Sequence, residues 1–295
     1  MDKYQKIRKA SIFGIIGNIF LFIIKFIIGI TTKSQAMIAD SVNSGTDIIS
    51  SFITYIGNKI SSKPSDDDHN LGHGKAEYIY SMLISIAMIF LSMTILKGSI
   101  KALTQKANVK FSYWLILICL LNIIIKLILY IYTNKIAKEE KNLLIKANSK
   151  DHLCDTIISI FTLISGFLIF KGIYTLDGII GIGISTYIAI TAIKIFKESY
   201  DVLMDKSISE ETKCKVYSLI KKHPEIKKVN HFNSTPVGYK YQISFTIFVD
   251  GNLSTFKSHK IADNLEKEIK EKIEEIYLTV IHVNPIDDKN KKGAN

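Results

Sequence analysis

The chain has 295 residues, 47% of them hydrophobic, and a formal charge of +11. Its first two thirds carry apolar runs that a soluble domain of ordinary composition does not have, which excludes a purely soluble enzyme or binding module. The positive excess is nearly all lysine, with Arg8 the single arginine and no aromatic-basic module beside it, so it points to loops at an anionic lipid surface and not to nucleic acid.

In chain order, six runs are long enough to cross a hydrocarbon core: roughly 10–31, 36–58, 77–99, 111–133, 147–170 and 175–197. The first follows the basic stretch MDKYQKIRK but is too long for the apolar part of a cleaved signal, so it reads as a span. An even number of spans puts both termini on one side. Lys3, Lys6, Arg8 and Lys9, then Lys59, Lys63 and Lys75, then five lysines from Lys135 to Lys150 assign that side to the cytoplasm, against a smaller group, Lys97, Lys101, Lys106 and Lys110, on the other.

After Asp205 the pattern turns soluble. SEETKCKVYSLIKKHP reads as a helix, IKKVNHFNSTPVG and YKYQISFTIFVD as strands, Thr255 to Ile273 as an amphipathic helix and YLTVIHVNP as a last strand. The expectation is a helical membrane domain over 1–205, a cytoplasmic α+β domain of ferredoxin-like αββαβ order over 206–288, and a disordered tail over 289–295. Cys119, Cys154 and Cys214, scattered and without a C-x-x-C pair, suggest neither a disulfide framework nor a thiolate metal site.

Acidic residues inside spans are costly and call for a functional reason. Asp40, Asn43 and Asp47 recur at i, i+3 and i+7 on the second span; Asn148, Asp151 and Asp155 repeat that spacing on the fifth. Each set lies on one helical face. Facing each other, the stripes would converge oxygen ligands into a cation site built from Asn43, Asp47, Asp151 and Asp155. His152 and Cys154 are turned away by one residue of offset, about 100°. An all-oxygen set suits Mg²⁺, Ca²⁺ or Mn²⁺ better than zinc. Lys25 and Lys126 are open to two readings, counter-ions to these carboxylates or side chains snorkelling to an interface. Polar residues such as Asn18 and Asn122 are accounted for by hydrogen bonds between helices, and the glycines at 45, 166, 178, 181 and 183 by close packing or bending.

With these motifs the sequence resembles the cation diffusion facilitator family, proton-coupled exporters of divalent transition metals, over nearly its whole length. The resemblance implies a transport site at Asn43, Asp47, Asp151 and Asp155; asparagine or aspartate in place of histidine there is similar to the manganese branch. PSDDDHNLGHGKAE resembles the family's signature loop, implying a further metal site at Asp66, His69 and His73, with Lys75 and Asp205 as a charge contact near the dimer interface. His231, His259 and His282 fall where the family places cytoplasmic metal ligands, although Thr246 and Asn284 stand where zinc-type members have histidine and aspartate. The implied function is manganese–proton antiport out of the cell across the plasma membrane by a homodimer, with no enzyme activity and no cofactor besides the transported ion. Zinc or iron export by the same machinery is the alternative, and a membrane-anchored metal sensor a more distant one. Neither a nucleophile paired with a base nor a phosphate-cradling glycine loop is present to suggest catalysis.

Overall fold

The computed structural model describes residues 3–31, 35–104, 113–170 and 175–286. Their elements run α1 (Lys3–Thr31), α2 (Gln35–Ser61), α3 (Ala76–Thr104), α4 (Tyr113–Glu139), α5 (Leu143–Phe170), α6 (Thr175–Leu203), α7 (Glu210–Ile220), β1 (Lys228–Val237), β2 (Lys240–Val249), α8 (Thr255–Lys272) and β3 (Ile276–Pro285). The expected tail, 289–295, lies outside the described residues. The chain divides into two units, one of Met1–Pro64 with Ala76–Tyr200, the other of Ser65–Lys75 with Asp201–Asn295.

The first unit holds the six expected spans, each extended at one or both ends beyond the apolar run that announced it. Such extensions arise because a helix continues past the hydrocarbon edge until its polar end is satisfied in water or by a cap. In this unit the burial pattern of a soluble protein is reversed. Phe13, Ile16, Phe20, Phe90, Ile128 and Ile131 are exposed on α1, α3 and α4, whereas Asn18, Ser44, Asp47, Ser51, Lys126, Asn148, Asp151 and Asp155 are buried. Lipid solvates the first set; only neighbouring helices can satisfy the second.

Hydrogen bonds from those buried groups tie the helices together. Asn18 Nδ2 on α1 donates to the Asp47 carbonyl (3.0 Å) and to Ser51 Oγ (3.1 Å) on α2, and Asn122 Nδ2 on α4 donates to Ser159 Oγ on α5 (2.6 Å). The N-terminus of α5 is fixed twice. Asn142 Oδ1 accepts from the Ile145 N–H (2.9 Å), an N-cap bond, and buried Glu77 of α3 accepts from Asn142 Nδ2 and from the Leu143 N–H, both at 2.6 Å. A carboxylate on those free N–H groups is favoured by the helix dipole as well. Of the glycines expected to allow close packing, Gly181 does so, since a Cβ there would lie 2.0 Å from Ser99 Oγ on α3, whereas Gly45 and Gly183 meet nothing tight. Gly166 and Gly178 fall among side-chain positions outside the description.

In the second unit the order αββαβ is as expected. The sheet runs β1-β2-β3, with β1 and β2 antiparallel and β2 and β3 parallel. Period-two alternation sends Ile243, Phe245, Ile247 and Val249 of β2 into a core with Val216, Leu219 and Ile220 of α7 and Ala262, Leu265 and Ile269 of α8. Ser209 caps α7 by accepting from the Thr212 N–H, and Ser254 caps α8 by accepting from the Lys257 N–H. Gly238, at φ +62°, makes the tight β1–β2 turn, and a Cβ on Gly74 would stand 2.9 Å from its Cα. The 65–75 loop therefore packs on this unit through an approach that needs glycine at 74, while glycine at 238 answers to its positive φ.

Candidate metal centre

Among the described residues, two groups of three side chains bring metal-binding donor atoms within 4.8 Å of one another: Asp47, Asp151 and Asp155, and Asp66, His69 and His73. The first group is buried and all carboxylate; the second is mostly exposed and mixes carboxylate with imidazole.

The buried group joins α2 to α5, as the matched stripes require. Asp47 comes from α2, one turn after Asn43, and Asp151 and Asp155 are one turn apart on α5. Asn43 itself lies in α2, but its side chain is outside the description, as is that of Asp40. His152 and Cys154, fully buried on the same helix, contribute no donor to the group. Both ring nitrogens of His152 and both amide atoms of Asn148 are buried without a hydrogen-bond partner.

Lys126 is one of the two lysines whose role the sequence left open, and the structure decides between its two readings. Its ammonium reaches neither end of α4. It donates to Asp47 Oδ2 at 2.7 Å and to Asp155 Oδ2 at 2.6 Å, with the side chain only 1% exposed. Snorkelling is overturned because Lys126 stands near the middle of its span, about 10 Å of helix from the nearer end of the run, farther than the side chain extends. Distance to the helix ends was thus a usable signal, although the partner could not be read from it. Lys25 also turns inward and donates to Ser44 Oγ at 3.0 Å.

The loop group is compact. The His69 N–H donates to Asp66 Oδ1 at 2.7 Å, His69 Nδ1 lies 3.2 Å from the same oxygen, and His73 Nε2 lies 3.5 Å from Asp66 Oδ2. The two imidazole rings are 4.4 Å apart, centre to centre. Desolvation is the largest influence on the Asp66 carboxyl and pushes its pKa up; the hydrogen bonds from the His69 N–H and ring, with the charges of His73 and His69, together outweigh it and leave the carboxyl below its ordinary value. Next to the loop, Lys75 Nζ donates to Asp205 Oδ1 at 2.7 Å, the pair of residues expected to meet.

The cytoplasmic histidines do not gather. His231 stands in the β1 bulge at φ 54°, His259 is exposed on α8, and His282 is exposed on β3, where its register partner is Thr246. Among the described residues the three form no common donor group within one chain.

The profile of the cation efflux transmembrane domain matches residues 11–204, and that of the cation efflux protein cytoplasmic domain matches residues 208–286. The manganese efflux system proteins MneP and MneS of Bacillus subtilis are 28% and 29% identical to this chain, over 96% and 98% of it and 98% and 100% of their own lengths. An uncharacterised transporter of Methanocaldococcus jannaschii is 28% identical over 96% of the chain and its own whole length. Among solved structures, the metal-bound C-terminal domain of the CzcD transporter from Thermotoga maritima is similar at 25% identity and a TM-score of 0.25, covering 25% of this chain and 87% of that one. A six-helix membrane domain followed by a cytoplasmic αββαβ domain, with both profiles matched along nearly the whole chain, makes this protein a divalent-cation transporter and not an enzyme: it belongs to the cation efflux family.

Proposed function

We propose that the protein exports Mn²⁺ from the cytoplasm across the plasma membrane in exchange for protons, with Asn43, Asp47, Asp151 and Asp155 holding the ion in transit. The single observation that carries this reading is the buried convergence of three carboxylates from α2 and α5, their oxygens within 4.8 Å of one another, with no imidazole or thiolate among them. Hard oxygen donors favour manganese over zinc. The names of the two Bacillus relatives agree with that choice.

Carboxylates serve both halves of the exchange. A divalent ion binds their deprotonated form, and protons arriving from the far side compete for the same oxygens and release it. Asn43 adds a neutral oxygen, which keeps the total charge of the cage low enough for the ion to leave. Alternating exposure of such a mid-membrane site is the general logic of secondary transporters. The Asp66, His69 and His73 loop has the donor set for a second divalent ion, bound outside the membrane domain; His231, His259 and His282 would complete a cytoplasmic site only with ligands from a second copy, in a homodimer.

Flux into sealed vesicles tests the reading. Purified protein in liposomes with an imposed proton gradient should move Mn²⁺ onto an enclosed manganese-sensitive dye, faster with the gradient than without it. A rate equal to that of protein-free vesicles contradicts export. A rate higher for Zn²⁺ or Fe²⁺ than for Mn²⁺ moves the protein to the alternative branch. Asn43→His should raise the Zn²⁺ rate relative to Mn²⁺; an unchanged ratio removes that position from the site.

A further inference from the structure

Resting on the reading of Asp47, Asp151 and Asp155 as the cargo cage, we infer that Lys126 is a tethered competitor of the transported ion: its ammonium and the divalent cation contend for the same two carboxylates. The ammonium binds one oxygen from each of the two helices that make the cage, Asp47 Oδ2 on α2 and Asp155 Oδ2 on α5, at 2.7 and 2.6 Å. A cation bridging those same two residues would stand within a few ångströms of a buried positive charge. In a low-dielectric interior such a pair repels strongly. For the ion to bind well, the lysine must let go of at least one carboxylate.

A place for the released ammonium exists on the same helix. Asn122, one turn before Lys126 on α4, donates its Nδ2 to Ser159 on α5, which leaves its Oδ1 buried without a hydrogen-bond partner. Residues four apart on a helix are side-chain neighbours, so the ammonium can reach that acceptor by changing rotamer. The lysine then has two stations, the carboxylate pair and the Asn122 carbonyl, and the cargo decides between them. This arrangement weakens cargo binding by the free-energy difference of the lysine between its two stations, and it favours release, since the returning ammonium helps to expel the ion. A lysine that only neutralised charge to keep the helices together would have no such effect on affinity.

The two roles separate in the concentration dependence of flux. Lys126→Met keeps an unbranched side chain one atom shorter and removes the charge. The full-length variant in proteoliposomes at fixed pH should show a KM for Mn²⁺ at least tenfold below wild type, together with a lower maximal rate as release slows; Lys126→Arg, which keeps the charge, should not lower KM. A Lys126→Met protein with lowered rate and unchanged or raised KM overturns the inference. Should that variant fail to fold, Asp47→Asn/Lys126→Met, which removes one charge of each sign, carries the same test, and a double variant whose KM is no lower than that of Asp47→Asn alone is equally fatal. Asp151→Asn identifies the premise: if it transports Mn²⁺ like wild type, the cargo reading falls and takes the inference with it, whereas a defect there with no KM shift at Lys126 overturns the inference alone.

Discussion

The membrane helices and the cytoplasmic domain solve opposite problems, and their acidic residues show it. In the cytoplasmic unit carboxylates stay at the surface, as Asp66 does, or pair with lysines one turn away, as Glu211 does with Lys215 at 2.7 Å. In the bundle three of them are brought inward to one point, two of them paired with Lys126, and apolar side chains are turned out to lipid. Water solvates a surface charge almost for nothing, so its position reveals little. A charge inside a membrane domain is expensive, so three converging carboxylates carry a functional signal that a surface carboxylate does not.

The largest expected effect lies at that point. Asp155→Asn preserves shape and removes one charge; Mn²⁺ flux should fall by at least about 100-fold, the scale of a lost ligand interaction of roughly 3 kcal/mol, while the protein remains monodisperse in detergent. Flux within twofold of wild type would erase the contrast between the two regions. A mid-sized effect sharpens it from the other side. Leu265 is fully buried in the core of α7, α8 and the sheet; Leu265→Ala should lower hydrogen-exchange protection of the β2 amides by about 2–5 kcal/mol and leave the amides of α2 and α5 unchanged. Equal loss in both regions would mean that the two units do not unfold separately.

The smallest effect concerns the loop. A carboxyl whose folded pKa is depressed stabilises the fold above its unfolded pKa, and the contribution is lost as the pH falls through the lower, folded value. For Asp66, held down by His69 and His73 against its desolvation, the Asp66–His69 contact should therefore persist below about pH 4, where a free aspartate is already protonating. Carbon-13 chemical shifts of the Asp66 carboxyl report it directly; titration at or above the ordinary aspartate value would contradict the described geometry.

How far the sequence carried this picture depends on which kind of information each feature needs. The spans, the αββαβ order and the two acidic stripes come from local periodicity: Asp151 and Asp155 must share a face whatever surrounds them, and their meeting with Asp47 follows once the stripes are taken as facing. Helix ends were less legible, because caps such as Glu77 on the α5 N-terminus come from another span. The destination of Lys126 depends on the rotation of α4 about its own axis, a tertiary quantity that the nearly uniform apolar composition around it does not encode. The 65–75 loop, which belongs to the second unit by its contacts, depends on Gly74 finding Gly238, a meeting of two residues 164 apart in the numbering.

Crystals of the full-length protein grown with Mn²⁺, with diffraction data collected at the manganese absorption edge, test the central claim most directly. An anomalous peak within about 2.1–2.3 Å of oxygens of Asp47, Asp151 and Asp155 is the result the account predicts. Peaks confined to the Asp66, His69 and His73 loop or the cytoplasmic domain, with no manganese at the three membrane carboxylates and Asp47 and Asp155 still bound to Lys126, would contradict it.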